Sequence, residues 1–165
     1  MKLSIVTTLF SSSDHIVEFY ERVSKVAKEL VRDDYEIIFV NDGSPDNCLN
    51  ISLELMKSDS KLKVVDLSRN FGHHRAMMCG LENAIGEKIF LIDVDLEEEP
   101  EWLISFNSIM ISEDVDLVYG VQVERKGGLF EKITGYFFYK LFRIFTKLDQ
   151  PNNITTARLM TRRYV

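Results

Sequence analysis

The sequence predicts an α/β domain built on a mostly parallel sheet. Short apolar runs rich in β-branched residues alternate with segments of helical period, turn-forming residues close each apolar run, and no internal repeat or Gly/Ser linker breaks the series. At 165 residues, 45% hydrophobic and 28% charged with 8 Gly and 3 Pro, the chain is one domain or one domain with an appendage. That make-up excludes disordered, collagenous and low-complexity classes. Cys48 and Cys79 are too few for a disulfide framework or a zinc site. Without a secretory signal at the N-terminus, a reducing cytoplasmic compartment is expected.

Residues 3–9 form the first apolar run and suit a buried strand. Asp14 is a candidate cap for a helix in which Ile16, Phe19, Tyr20, Val23, Ala27, Leu30 and Val31 recur at helical spacing. Residues 36–40 are strand-like and end in Asn41-Asp42-Gly43-Ser44-Pro45, a turn signal. Ile51, Leu55 and Met56 support a second helix, and residues 62–67 a third strand. Residues 75–85 predict a helix stopped by Gly86, a candidate left-handed cap. Strand 88–92, helix 101–111 and strand 115–121 complete the series, and the segment 158–160 starts a further strand or helix. Five strands separated by four helices imply right-handed crossovers, which bring the strand C-terminal ends to one edge, where open α/β sheets bind ligands.

The net charge of −6 hides a split. Residues 1–120 hold 11 Lys and Arg against 23 Asp and Glu, whereas residues 121–165 hold 9 against 3. That tail also carries 8 of the 18 aromatic residues, so it predicts an anionic partner of its own; nucleic acid is not expected for the acidic remainder. On a helical wheel over residues 130–148, Ile133, Phe137, Leu141, Phe145 and Leu148 share one side, while Lys132, Lys140, Arg143 and Lys147 share one flank. Four cations exclude an ordinary membrane-spanning helix. The pattern predicts a helix lying in the headgroup plane of an anionic membrane, with packing on a second copy as the alternative.

Three strand ends carry candidate chemistry. Asp93-Val94-Asp95 follows an apolar strand, and two carboxylates one residue apart can offer hard oxygen ligands to Mg²⁺ or Mn²⁺. Asp42, after the second strand, can accept from a base or ribose. In Leu67-Ser68-Arg69-Asn70-Phe71-Gly72, Arg69 can fork onto diphosphate oxygens and Gly72 permits close approach of backbone. His73 and His74 are adjacent, poor spacing for a shared metal, and are expected to serve a surface or capping role.

Together with Ser4-Ile5-Val6, Asp116-Leu117-Val118-Tyr119-Gly120 and Arg158-Leu159-Met160, these segments resemble the family-2 glycosyltransferases of the GT-A fold, a Rossmann-like three-layer architecture. The branch resembled acts at membranes on polyprenyl-phosphate lipids, where a basic stretch and an aromatic-rich helix follow in the order of Arg125-Lys126-Gly127-Gly128 and residues 130–148. The resemblance implies that Thr8, Phe10, Asp42, Ser68, Arg69 and Asp93 bind a nucleotide-sugar donor, and that Asp93 and Asp95 are catalytic, with Asp95 holding the metal. It implies that Arg125, Lys126 and Arg158 face a phosphate of acceptor or donor. Three departures stand out: Thr8 where the family usually has Pro, Asn153 and Thr156 where the branch often has carboxylates, and Gln122 where it often has Arg.

The expected organisation is therefore a nucleotide-sugar-binding core over residues 1–124. Residues 125–165 would hold the basic aromatic helix and the start of an acceptor region, in a chain that stops short of membrane-spanning segments. The expected activity is inverting, metal-assisted transfer of a sugar, a UDP-sugar favoured, to a lipid phosphate or a cell-envelope glycan at the cytoplasmic face of the plasma membrane. A phosphate acceptor needs no general base; a sugar hydroxyl would need one, with Asp93, Glu97 and Glu98 as candidates. The alternatives are a non-catalytic nucleotide- or lipid-binding adaptor and a sugar nucleotidyltransferase. The latter wants a Gly- and Lys/Arg-rich loop after the first strand, where this chain has Leu9-Phe10-Ser11-Ser12-Ser13.

Overall fold

The computed structural model describes residues 1–121 and 154–165. Along the chain run β1 (Leu3–Leu9), α1 (Ile16–Val31), β2 (Tyr35–Asn41), α2 (Cys48–Ser58), β3 (Leu62–Asp66) and α3 (His73–Asn83). They are followed by β4 (Lys88–Leu91), α4 (Trp102–Ser112), β5 (Leu117–Val121) and β6 (Ile154–Thr161). The strands make one sheet in the order β3-β2-β1-β4-β6-β5. β1 to β4 are mutually parallel, and β6 is inserted antiparallel between β4 and β5. The N-terminal end of β6 therefore reaches the same edge as the C-terminal ends of the parallel strands.

Period-2 alternation sends side chains to two cores, one on each face. Leu3, Ile5, Leu9, Ile37, Phe39, Phe90 and Leu159 pack with Phe19 and Val23 of α1 and with Leu103, Phe106 and Met110 of α4. On the other face Val6, Ile38, Val40, Ile89, Leu91 and Met160 pack with Ala76 and Leu81 of α3. This is the expected three-layer α/β arrangement. α3 lies so close to the sheet that a Cβ on Gly80 would stand 3.0 Å from a methyl of Val40. The wide apolar stripe of α1 matches the broader core that it covers.

Three local expectations are corrected. Asp14 does not cap α1: the cap position is His15, with no side-chain bond, because the chain enters through a turn in which the His15 amide donates to the Ser12 carbonyl. α3 begins two residues early, at His73, and ends at Asn83, so Gly86 is not its cap. Gly86 is small for another reason: a Cβ there would lie 2.5 Å from the Ser4 amide nitrogen. The segment around residues 158–160 is the middle of a full strand.

Near Gly86 a carboxylate is sealed into the sheet. Glu36, 1% exposed, accepts from the Ser4 hydroxyl at 2.5 Å and the Ile85 amide at 2.8 Å, and pairs with Lys63 Nζ at 2.6 Å. The Ser4 hydroxyl in turn accepts from the Gly86 amide. Burial pushes the Glu36 pKa up, but Lys63, Ser4 and the Ile85 amide outweigh it and hold the carboxyl below its ordinary 4.5. A carboxyl depressed by folding stabilises the protein above its unfolded pKa and loses that contribution as pH falls through the folded value. Glu36→Ala, which leaves the Ser4 hydroxyl and Ile85 amide without their acceptor, is expected to cost about 2 kcal/mol in urea denaturation at pH 7. The gap between variant and parent should narrow progressively below pH 4.5.

Candidate active site

Four loops meet at the edge where β1 to β4 end, and buried polar groups lock them together. The Asp42 amide donates to the Leu9 carbonyl, and the Leu67 amide to the Asn41 carbonyl. The Asn41 side-chain amide donates to Asp66 at 2.7 Å. Asp42 itself is 2% exposed, and its carboxylate accepts from the amides of Phe71 at 2.7 Å and Gly72 at 3.0 Å. It thus anchors the β3–α3 loop to the end of β2. Gly43, at φ 60°, allows the same two loops to touch: a Cβ there would fall 2.5 Å from the Asn70 amide nitrogen and against the Arg69 backbone.

Asp46 ties the first loop to the second, a role that a lone acid in a turn did not announce. It accepts from the Ser13 amide at 2.9 Å, the Ser44 hydroxyl at 2.5 Å and the Cys48 amide at 3.1 Å. Burial pushes its pKa up, but hydrogen bonds from Cys48, Ser44 and Ser13 together hold the carboxyl well below the usual range. Ser44 also accepts from the amide of Ser11, which sits at φ 52° in the left-handed region. A second non-glycine residue in that region, Leu96 at φ 61°, follows Asp95. Such backbone costs about 1 kcal/mol or more per residue, and here it falls in two of the loops that flank the same cleft.

That cleft, about 300 Å³, is lined by Thr8 and Phe10 from β1 and its loop, His73 from α3, and Asp93 and Asp95 beyond β4, among others. Asp95 is exposed, and one of its oxygens accepts from the Glu97 amide at 3.0 Å. Asp93 is partly buried and lies 3.5 Å from Nε2 of His73. His73 Nδ1 is 3.0 Å from the Thr8 hydroxyl. The imidazole is exposed, as expected of a surface residue, and it also stands in the cleft wall; its partners lie 65 residues before it and 20 after, a distance no local pattern reports.

The donor residues expected from the sequence divide in two. Thr8, Phe10, Asp93 and Asp95 converge on the cleft. Asp42 lies behind the rim as an anchor, and its contact with a base would have to use the remaining lone pairs of an already engaged carboxylate. Ser68 and Arg69 are exposed on the β3–α3 loop, where the Arg69 guanidinium stacks over the Phe71 ring at 4.8 Å. Arg158 is on β6, in register with Leu91 of β4 and Tyr119 of β5, and its guanidinium donates to the carbonyls of Thr156 and Thr155. Arg125, Lys126 and the amphipathic segment 130–148 lie outside the described residues.

Glu98, one of the candidate bases, is instead a joint between loop and strand. It is 8% exposed and accepts from the Thr156 amide at 2.8 Å. Burial pushes its pKa up, and the charge of Asp93 pushes the same way. A larger groove of about 610 Å³ lies at the opposite edge of the sheet, beside Ile111, Asp116 and Arg162, away from every strand-end motif.

The family model described as glycosyl transferase family 2 matches residues 4–165. The chain is 44% identical over 165 residues to a protein of Mycobacterium tuberculosis named among putative glycosyltransferases, covering 100% of this chain and 48% of the relative. It is 33% identical over 163 residues to a prophage bactoprenol glucosyl transferase homolog of Escherichia coli, covering 98% of this chain and 53% of the relative. The chain spans about half the length of the curated relatives it matches. A solved structure of glucosyl-3-phosphoglycerate synthase from Mycobacterium tuberculosis, with Mn²⁺, UDP and glucosyl-3-phosphoglycerate, aligns at a TM-score of 0.66. The alignment has 20% identity and covers 98% of this chain and 57% of that one, a likeness of fold.

The close contact at Gly43 gives a direct test of how the rim is held. Gly43→Ala forces a side chain into left-handed backbone and against the Arg69–Asn70 peptide, and is expected to lower stability by about 2 kcal/mol. Thermal denaturation would measure it, and hydrogen exchange should quicken at the Phe71 and Gly72 amides that Asp42 protects.

Proposed function

Because the chain belongs to glycosyl transferase family 2, we propose that it transfers a sugar from a nucleoside diphosphate sugar, a UDP-sugar in first place, to a polyprenyl-phosphate lipid. The observation that carries this reading is the open pair Asp93 and Asp95 at the strand edge, with Arg158 of β6 in register with Leu91, two residues before Asp93. An acidic pair and a cation on adjacent segments suit a ligand that brings both metal and phosphate. The bactoprenol name of one relative and the Mn²⁺ and UDP of one structural neighbour point the same way.

The donor set fits Mg²⁺ or Mn²⁺. Among the described residues one carboxylate oxygen of Asp95 has no protein donor, Asp93 faces the same cleft, and both are hard oxygen ligands. Among the described residues no cluster of three or more ligating side chains occurs, as suits a cation whose other positions are filled by water and substrate phosphates rather than by a protein cage. When bound, such a cation would neutralise charge on the departing diphosphate. Asp95 would hold it and Asp93 would orient the sugar or ribose beside it. Arg69, free to swing from its stack on Phe71, would add a guanidinium to the diphosphate oxygens. Thr8 and Phe10 would form the wall against which the donor lies.

A phosphate acceptor supplies its own nucleophile. Its second pKa near 6 leaves it largely dianionic at neutral pH, so the absence of carboxylates at Asn153 and Thr156 does not hinder a single inverting displacement. Glu98, closed off against β6, is not needed as a base. Arg158, Arg125 and Lys126 would steer the anionic head group. Residues 130–148 would lie on the anionic cytoplasmic face of the membrane. No helix among the described residues is long and apolar enough to cross one.

UDP with Mn²⁺, at 100 times its Kd, should stabilise the chain by about 2.7 kcal/mol in a thermal shift. The shift should vanish with EDTA and in Asp95→Ala. Equal metal-free stabilisation by every nucleotide would count against the assigned roles. Given radiolabelled donor, the full-length protein should label a polyprenyl phosphate in vesicles in preference to free sugars. Transfer to sugar hydroxyls alone would sink the lipid-phosphate reading.

A further inference from the structure

Thr8, His73 and Asp93 reach the cleft from the end of β1, the first turn of α3 and the loop after β4, and they form a chain of contacts. The Thr8 hydroxyl lies 3.0 Å from His73 Nδ1, and His73 Nε2 lies 3.5 Å from Asp93 Oδ1. All three line the cleft. The backbone beneath the ring is fixed: Gly72, at φ 96°, gives its amide to Asp42, as does Phe71 before it. His73 therefore has a set position on the rim and a ring with a neighbour on each nitrogen.

The chemistry of the three groups sets the direction of the bonds. A carboxylate can only accept, so the nitrogen facing Asp93 is the one that bears hydrogen. In the neutral ring Nδ1 is then the acceptor, and the Thr8 hydroxyl donates to it. Thr8 fixes the tautomer, and the ring presents an N–H to Asp93. At 3.5 Å that second contact is long for a hydrogen bond, so it guides the carboxylate rather than clamping it. Position 8 gains meaning from this: Thr8 supplies the hydroxyl that meets His73 Nδ1.

We infer that His73, with its tautomer set by Thr8, is a positioning residue that orients the Asp93 carboxylate for the donor and its cation. The inference rests on the nucleotide-sugar reading above. Groups that aim a ligating or ligand-binding side chain in this way commonly change affinity 10- to 100-fold when removed.

The test uses the 165-residue chain, with Mn²⁺ and UDP as the probe and calorimetry as the readout. His73→Ala should weaken Mn²⁺-dependent UDP binding about tenfold. His73→Gln, whose terminal amide can put an N–H where Nε2 was, should recover most of the loss, and His73→Asn, too short to reach Asp93, should not. Thr8→Val should cost about threefold in the parent and clearly less when added to His73→Ala, where only its place in the donor wall is left to lose. The ¹⁵N spectrum of the imidazole, read without any ligand, should show the Nε2–H tautomer in the parent and a mixture in Thr8→Val. Binding by His73→Ala equal to the parent, equal damage from Gln and Ala, additive losses from Thr8 and His73, or a dominant Nδ1–H tautomer would each overturn the inference. A parent chain that binds no nucleoside diphosphate with Mn²⁺ would overturn the functional reading and this inference together, whereas a parent that binds and a His73→Ala that binds as well would overturn only the latter.

Discussion

One buried carboxylate organises the strand-end edge that carries the candidate site. Asp42 ends β2 with its side chain turned under the neighbouring loop, and it holds two successive amides, those of Phe71 and Gly72. Phe71 carries the stacked Arg69, and Gly72 delivers the chain into α3 with His73 as its first residue. From His73 the contacts pass to Thr8 and Asp93. An acceptor of this sort suits a β–α loop, whose amides have no ladder to join and would otherwise be left without partners near the core. The arrangement also explains why Gly43 must be small, since the anchored loop rests directly on it.

The parallel sheet places chemistry at the edge, but it takes an antiparallel strand to complete it. β6 enters at that edge, so Thr155, Thr156 and Arg158 come to lie beside the acidic loop instead of at the far end of the sheet. Glu98 fastens the two by accepting from the Thr156 amide. The loop that bears Asp93 and Asp95 is therefore fastened to β6 through Glu98, while His73 of α3 approaches it from the other side. The wing of the sheet made by β5 and β6 and the half-sheet made by β1 to β4 share one functional edge.

Much of the fold was readable from residue order. β1 coincides with its predicted run, Leu3 to Leu9, because a strand buried on both faces is built mainly from apolar residues and small hydroxyl residues such as Ser4 and Thr7. The pair Asp93 and Asp95 was legible for a related reason: charge that follows such a run must leave the sheet. β6 was harder. Its residues alternate Thr and Arg with Ala and Leu, a pattern common to many exposed segments, and its place between β4 and β5 depends on pairings that are distant in sequence. Asp14 and Gly86 misled because a residue type that often caps helices is also used in turns and at tight crossings. His73 and Asp46 were missed for a physical reason as well, since each takes its role from partners on other loops.

The order of the strands has a consequence for how the molecule comes into being. Among the described residues β5 borders only β6, which is made more than thirty residues later. A growing polypeptide can close β1 to β4 with three helices while β5, already synthesised, still lacks the strand it pairs with in the finished sheet. That pairing waits for β6 to slot between β5 and β4, a contact of high sequence separation that is slow by nature. Birth on the ribosome would thus proceed in two acts, with the acidic loop shaped in the first and the wall that β6 lends it supplied in the second.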